Sequence, residues 1–477
     1  MLPLDGLDRF VADTRTAIFV RSADDLLMIR PDKTLGLNST AAVLLENIYA
    51  RNAAPVAQVV ERLAPEMGVE NERLLADAHH LLDTVRALLN EDFSPRRGLR
   101  LGAFDRSRVK FPTLAEIALT YGCQNRCVFC YASSPYREKE RTPMTTEEVK
   151  RVMHKIFHQA HVPSLSFTGG EATLCKDLPE LISYGREIGF RVNLITNGIR
   201  AADRAYARSL VEAGLDSAQV SLEAGDAETH DAIVGRPGAF EDTTAGIRNF
   251  RSLGIHVHTN TTLCSGNFDQ GENLIRFVHH ELNLQTLSMN MVIRTGEALG
   301  DAGMEVTYTE VAERLPDLLA TARELGVRLV WYSPIPYCLF NPVLHDLGAK
   351  SCACIDGILS VDPTGQVLPC SSFGDGIGSL LEDDFDHIYS SRQARYWRNK
   401  EFVPPVCRRC PDVDVCAGAC PLYWDASGTF DELPQHGSDD VRARARWEHR
   451  RQRGGSFGVS PTEQALLPVH SGNESHG

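Results

Sequence analysis

Residues 121–132 read YGCQNRCVFCYA, which places Cys123, Cys127 and Cys130 in a C-x3-C-x2-C run. Three thiolates on one tight loop can hold three irons of a cubane and leave the fourth open to a bound ligand. A structural zinc loop is the other reading, but zinc sites close with four ligands, usually in C-x2-C pairs. Immediately upstream, residues 114–120 (LAEIALT) read as a strand. Further candidate strands follow at 164–168, 191–196, 218–223, 256–263, 286–293 and 328–331, with helical patterns at 146–160, 178–188, 240–253 and 309–325 between them. Repeated βα units of this length imply an α/β fold with a parallel sheet, doubly wound or curled into a barrel.

The ends of these strands carry polar tripeptides. Thr168-Gly169-Gly170-Glu171 ends the second, Thr196-Asn197-Gly198 the third and Ser221-Leu222-Glu223 the fourth. Any one alone reads as a turn or cap. Several in register matter, because the active sites of βα barrels gather at that face. Together with the cysteine loop and its aromatic Phe129, they resemble the radical S-adenosylmethionine (SAM) enzymes over residues 114–333. The resemblance implies a partial (βα)6 TIM-like barrel and a [4Fe–4S] cluster on Cys123, Cys127 and Cys130 that chelates SAM. It also implies SAM contacts from Phe129, Gly169, Gly170, Glu171, Asn197 and Ser221, with Glu171 on the methionine amino group. The family pattern continues GGEP where this chain has Ala172. In such enzymes one electron cleaves SAM to methionine and a 5′-deoxyadenosyl radical, which removes hydrogen from substrate.

Thirteen cysteines are present, and eight lie between 338 and 420. In a reducing compartment this points to metal ligands rather than disulfides. Cys354-x10-Gly365-x4-Cys370 followed by Cys407-x2-Cys410-x5-Cys416-x3-Cys420 resembles the SPASM extension of peptide-modifying radical SAM enzymes, which carries auxiliary iron–sulfur clusters. By that resemblance Cys354, Cys370 and Cys420, with Cys338 or Cys352, hold one auxiliary cluster, and Cys407, Cys410 and Cys416 hold three corners of a second. The pattern ends in a further cysteine, but none follows Cys420. The fourth position falls to Asp425, Asp431 or His436, stays open, or belongs to a cluster that is absent. Cys175 and Cys264 lie outside any motif and read as buried small hydrophobes.

Residues 1–93 read as a separate unit: a β-meander at 17–21, 26–30 and 33–38, then helices at 41–50 (capped by Ser39 or Thr40), 56–66 and 71–90. Such a winged-helix-like α+β unit also suits DNA binding. However, residues 1–92 hold nine Lys and Arg against fifteen Asp and Glu, a balance that opposes phosphate contact. The segment resembles the PqqD-like elements that capture a precursor's leader peptide by strand addition at a sheet edge. Residues 94–112 read as a linker, 113–333 as the catalytic core, 334–432 as the auxiliary-cluster domain without regular structure, and 433–477 as a partly disordered tail. The net charge of −14 argues against nucleic-acid or anionic-membrane partners. A start carrying two aspartates and no long apolar run predict a cytoplasmic protein. The expected function is maturation of a ribosomally made peptide, with a flavodoxin or ferredoxin as reductant. Maturation of a protein side chain or a redox cofactor is the rival reading, and a non-catalytic electron carrier a third.

Overall fold

The computed structural model describes residues 4–30, 33–90, 99–100, 109–133, 142–300 and 303–434. The expected tail therefore lies, apart from Leu433 and Pro434, outside the described residues. The chain divides into two compact units, Met1–Phe111 with Gly189–Arg191, and Pro112–Ile188 with Val192–Gly477.

The first unit opens with a helix the sequence reading missed, α1 (Leu4–Thr14), and continues through β1 (Ile18–Arg21), β2 (Leu26–Ile29) and β3 (Lys33–Leu37). These strands form an antiparallel meander, followed by α2 (Ser39–Tyr49), α3 (Val56–Met67) and α4 (Asn71–Leu89). The cap of α2 is Asn38, whose side chain accepts from Ala41 N–H at 2.8 Å, rather than Ser39 or Thr40. Leu44, Leu45, Leu74, Leu82 and Leu88 are buried together with Leu7 and Ile18. The expected linker is partly structured. Leu99–Arg100 forms β4 against Gly36 and Leu37 of β3. The buried Arg21–Asp24 pair (2.7 Å) also accepts Lys110 N–H on Asp24 and donates from Arg21 to the Phe111 carbonyl.

The second unit is built on seven parallel strands in sequence order: β5 (Leu114–Ala118), β6 (Ser164–Thr168), β7 (Arg191–Thr196), β8 (Ser217–Ser221), β9 (His256–Leu263), β10 (Thr286–Met291) and β11 (Arg328–Trp331). The helices between them are α5 (Thr146–His158), α6 (Leu178–Ile188), α7 (Arg204–Glu212), α8 (Ala227–Val234), α9 (Ala239–Ser252), α10 (Gly271–His280) and α11 (Tyr308–Glu324). Complete capping boxes, Thr145 with Glu148 and Thr307 with Glu310, fix the starts of α5 and α11. Three helices escaped the sequence reading. α7 and α8 are short, eight or nine residues, and α10 starts on a glycine without a side-chain cap.

The sheet does not stop at the expected boundary. β12 (Ile358–Val361) pairs parallel to β5, and β13 (Val367–Leu368) antiparallel to β12, so the cysteine-rich region extends the same sheet. That region also has an apolar core, contrary to the expectation that metal centres replace one. Trp397 is fully buried against Phe373, Tyr396 and Phe402.

Candidate active site and metal centres

Along the parallel strands one face is apolar and the other is not. Leu165, Phe167, Val192, Leu194, Ala218, Val220, Leu287 and Met289 are buried on the first face. The opposite face carries Glu116, Ser166, Asn193, Gln219, His258, Asn260, Ser288 and Asn290. These side chains are linked across strands: Asn193 to Ser166 at 3.1 Å, His258 to Gln219 at 3.2 Å, Ser288 to Asn260 and Asn260 to Asn290 at 2.9 Å each. A closed βα barrel fills this space with branched apolar side chains. Here the face is polar and mostly half-buried, which suits a groove that holds a hydrated or amide-rich ligand.

The loop Cys123–Cys130 leaves the C-terminal end of β5 at one end of this groove. Its backbone is clamped at three places. Arg126 N–H and Val128 N–H donate to the Val234 and Ile233 carbonyls of α8, at 2.9 and 3.0 Å. Gly170 N–H and Glu171 N–H, after β6, donate to Thr120 and Gly122, both at 2.8 Å. Glu297 N–H donates to the Cys130 carbonyl at 3.0 Å. Two glycines permit these approaches. A Cβ on Gly169 (φ +141°) would stand 2.2 Å from the Thr120 oxygen, and one on Gly296 (φ +57°) 2.1 Å from the Cys130 oxygen. The missing side chain of Gly169 thus admits the close approach of Thr120. Gly296 carries no signature in the sequence.

Glu171 is 1% exposed and joins the ends of β6 and β7. Its Oε1 accepts from Thr173 N–H (3.0 Å) and from the Thr173 and Thr196 hydroxyls (2.7 Å each), and its Oε2 accepts from Asn197 N–H at 2.8 Å. A carboxylate offers about four lone-pair directions, so Oε2 keeps capacity for one more donor. The Asn197 side chain is engaged locally: Oδ1 accepts from Gln124 and Ile199, and Nδ2 donates to Cys123 Sγ at 3.8 Å. Cys123 Sγ also accepts Asn125 N–H at 3.4 Å. Burial pushes the Cys123 thiol up to about 12, with Glu171 and Cys130 adding to it, and pushes Cys127 well above the usual thiol range. Phe129 and Ser221 are half-buried, Ser221 on the polar face. This donor set suits a cubane: three thiols of one loop, close enough to perturb one another, with amide N–H groups aimed at sulfur.

Beneath the loop, Glu223 N–H donates to His230 Nδ1 at 3.1 Å. His230 is 1% exposed, and burial lowers it to about 4, overcoming the opposing pull of Asp231 and Asp226. A depressed folded-state value means the unfolded chain takes up a proton first as pH falls. The stability contribution is therefore complete above about pH 6.5 and is lost as pH falls towards 4. Glu223, raised by its own burial to about 8, titrates with the opposite sign over the same range. The His230 contribution, up to about 1.4 kcal/mol per pH unit, is therefore read from the difference in slope between wild type and His230→Phe in thermal melts of the apo-protein from pH 6.5 to 4.5. The His230→Phe variant should lack that component; equal slopes in both proteins would show that His230 is not its source.

The remaining cysteines fall into two groups. Cys352, Cys354, Cys370 and Cys420 form the first. Cys354 is hydrogen-bonded to Cys352 and Cys370, which holds it up, while Cys420 is raised by burial and then by Cys352 and Cys370. Cys352 is brought down to about 7 by the Cys354 hydrogen bond and, to a lesser degree, by Lys400. Lys400 is itself 5% exposed, paired with Asp356 at 2.7 Å and bonded to the Cys354 carbonyl. Cys407, Cys410 and Cys416 lie on one tight run in which Cys410 N–H donates to Cys407 (3.0 Å) and Cys416 N–H to Asp412 (2.8 Å). Among the described residues no three His, Cys, Asp or Glu side chains are placed to hold one metal ion. Ligands of a cubane each bind a different iron and stand apart accordingly. Cys264 is fully buried as expected, whereas Cys175 is only half-buried. Among the described residues no helix is long and apolar enough to cross a membrane.

Residues 117–278 match the radical SAM superfamily, and residues 352–411 match SPASM, an iron–sulfur cluster-binding domain. The chain is 27% identical over 336 residues to the AdoMet-dependent heme synthase of Methanosarcina barkeri, covering 67% of this chain and 95% of that protein. Among solved structures it resembles Streptococcus suis SuiB bound to its precursor peptide SuiA, with a TM-score of 0.65 and 16% identity over 85% of this chain and 95% of SuiB. SuiB bound to S-adenosylmethionine matches with a TM-score of 0.63 and 17% identity, over 85% of this chain and 97% of SuiB. At such identity the likeness shows the fold. The chain thus carries a radical SAM domain followed by a SPASM domain, and its cofactors are S-adenosylmethionine and iron–sulfur clusters.

Proposed function

We propose that the protein is a radical SAM enzyme that removes hydrogen from a peptide substrate, with Cys123, Cys127 and Cys130 as the ligands of its SAM-binding cluster. The observation that carries this reading is the position of those three thiols beside Glu171, at one end of the polar strand face. When bound, the reduced cluster supplies the electron that cleaves SAM and yields the hydrogen-abstracting radical. The chain's own residues prepare the place. Asn125 and Asn197 donate to Cys123 Sγ and hold it in one orientation. The spare lone pair of Glu171 Oε2 is suited to an ammonium. The amide ladder Asn193, Gln219, Asn260 and Asn290 can pair with peptide groups, which offer alternating donors and acceptors. Cys352, Cys354, Cys370, Cys407, Cys410, Cys416 and Cys420 are the proposed auxiliary-cluster ligands, and a flavodoxin- or ferredoxin-type protein the reductant.

Residues 1–111 are proposed to capture a leader segment of the precursor. The antiparallel sheet of this unit, in the order β1-β2-β3-β4, is the proposed platform for strand addition at its edge. The likeness to SuiB covers 85% of this chain, a share that residues 112–477 alone are too few to supply. A cofactor substrate is the second reading, favoured by the match to the heme synthase, which leaves a third of this chain without a counterpart.

The test uses synthetic peptides encoded by neighbouring short reading frames, with anaerobically reconstituted enzyme, SAM and dithionite, read by mass spectrometry. The full chain is expected to modify one such peptide by loss of hydrogen. Deleting residues 1–111 should keep iron content and uncoupled SAM cleavage but lower peptide modification at sub-saturating concentration by about tenfold or more, the loss of a tethered binding step. A soluble truncated enzyme working at the full rate would rule out the capture role. Turnover of a tetrapyrrole with all peptides inert would favour the second reading.

A further inference from the structure

Cys416 and Cys420 are separated by three residues, yet they serve different groups, and the backbone between them explains how. Ala417, Gly418 and Ala419 all have left-handed φ, at +55°, +67° and +67°. Such a conformation costs roughly 1–2 kcal/mol at each non-glycine residue and is seldom adopted by successive ones. The turn is fixed by Trp424 Nε1, which donates to the Gly418 carbonyl at 2.6 Å, and by Tyr308 Oη, which accepts from Cys420 N–H at 3.1 Å. It sends Cys420 to Cys352, Cys354 and Cys370, which completes a set of four thiols. Cys416 is left with Cys407 and Cys410.

That second set is one ligand short by the spacing of the sequence, and the structure brings a further segment to it. Tyr337 N–H donates to Cys416 Sγ at 3.5 Å, and Cys416 Sγ lies 3.9 Å from the Ile335 carbonyl. Residues 335–338 therefore run over the Cys416 sulfur. Cys407 Sγ packs against the same turn, 3.6 Å from where a Cβ of Gly418 would be. Cys338 directly follows Tyr337. Its thiol feels the charges of Cys416 and Cys410, and Cys407 in turn feels that of Cys338. Asp431 is exposed, and His436 lies outside the described residues.

We propose that Cys338 is the fourth ligand of the second auxiliary cluster, so that Cys338, Cys407, Cys410 and Cys416 close it with four cysteines. Its sequence position, upstream of every other SPASM cysteine, replaces the downstream cysteine that the chain lacks. With all four irons ligated by protein, this cluster has no open position for substrate and carries electrons instead. The proposal rests on the reading that residues 334–432 bind two auxiliary clusters.

The test compares the anaerobically reconstituted full chain with Cys338→Ala, Cys370→Ala, Cys410→Ala and the double variant Asp425→Ala/Asp431→Ala. The measurements are iron and sulfide per chain and electron paramagnetic resonance of the oxidised and reduced proteins. The wild type should bind about twelve irons as three cubanes. Because Cys338 is exposed, its truncation removes no core side chain and the variant is expected to fold. Cys338→Ala should lose one to four irons or show an oxidised three-iron signal, in the same spectral component that Cys410→Ala removes. The double aspartate variant should match wild type. If Cys410→Ala loses iron while Cys338→Ala does not, the proposal fails and the two-cluster reading stands. Loss by Cys338→Ala of the component that Cys370→Ala removes would place Cys338 on the first cluster and overturn the proposal. Unchanged iron in both Cys338→Ala and Cys410→Ala would overturn proposal and reading together.

Discussion

Replacing Cys127 by alanine should reduce production of 5′-deoxyadenosine from SAM to the level seen without enzyme, while leaving the auxiliary iron in place. The reason lies in how the loop is held. Arg126 and Val128, on either side of Cys127, are bonded through their backbone N–H groups to the end of α8, so the loop keeps its course without the Cys127 sulfur. The variant lacks a ligand rather than a loop. With three protein ligands at most, losing one removes the corner geometry that leaves a single iron open for SAM. Circular dichroism should be unchanged, and iron should fall by one cluster's worth. Undiminished 5′-deoxyadenosine from Cys127→Ala would remove this loop from the catalytic assignment.

A substitution with no motif to announce it should do comparable damage. Gly296→Ala forces a left-handed φ of +57° on a residue with a Cβ and places that atom 2.1 Å from the Cys130 carbonyl oxygen. The backbone conformation costs about 1–3 kcal/mol, and the overpacking about as much again. The oxygen belongs to a backbone that also carries the third thiol, so the strain is relieved by moving Cys130. The expected result is loss of the SAM-binding cluster and of SAM cleavage, with a melting temperature lowered by several degrees. Gly326→Ala is the control: its φ of +66° is similar, but nothing lies within 4 Å of its Cβ. It should keep the cluster and cost about 1 kcal/mol. Equal cluster content in the two variants would show that the Gly296 approach does not position Cys130.

The parallel strands were legible because their register leaves a simple pattern. Ser164–Thr168, Arg191–Thr196 and His256–Leu263 begin and end where alternation and flanking turns place them. Helices with capping boxes or long apolar stripes were also visible. The short α7 and α8, and α10 with its uncapped glycine start, were not, since their ends are set by packing. The apolar core around Trp397 escaped notice for a similar reason: its aromatic residues come from irregular segments with no period.

At the site, composition and spacing named the thiols, because a cluster needs several sulfurs and local spacing brings three of them together. Spacing cannot assign the distant ones. Cys338 and Cys352 were interchangeable candidates on the chain, and the division of Cys416 from Cys420 followed from the resemblance, since their spacing alone does not enforce it. The three left-handed residues Ala417–Ala419 separate the last two, and the Tyr337–Cys416 bond draws the 335–338 segment to its group. Lys400, forty-six residues from Cys354, meets it only through the fold. The sequence by itself determined the parallel α/β class, the three-cysteine loop and the thiol-rich extension, all encoded in local periodicity and spacing. The tertiary structure alone decided which segment approaches Cys416, which glycines admit the loop, and which face of the sheet is polar and accessible. Those depend on long-range approach of backbone and side chains, for which a linear pattern holds no coordinate.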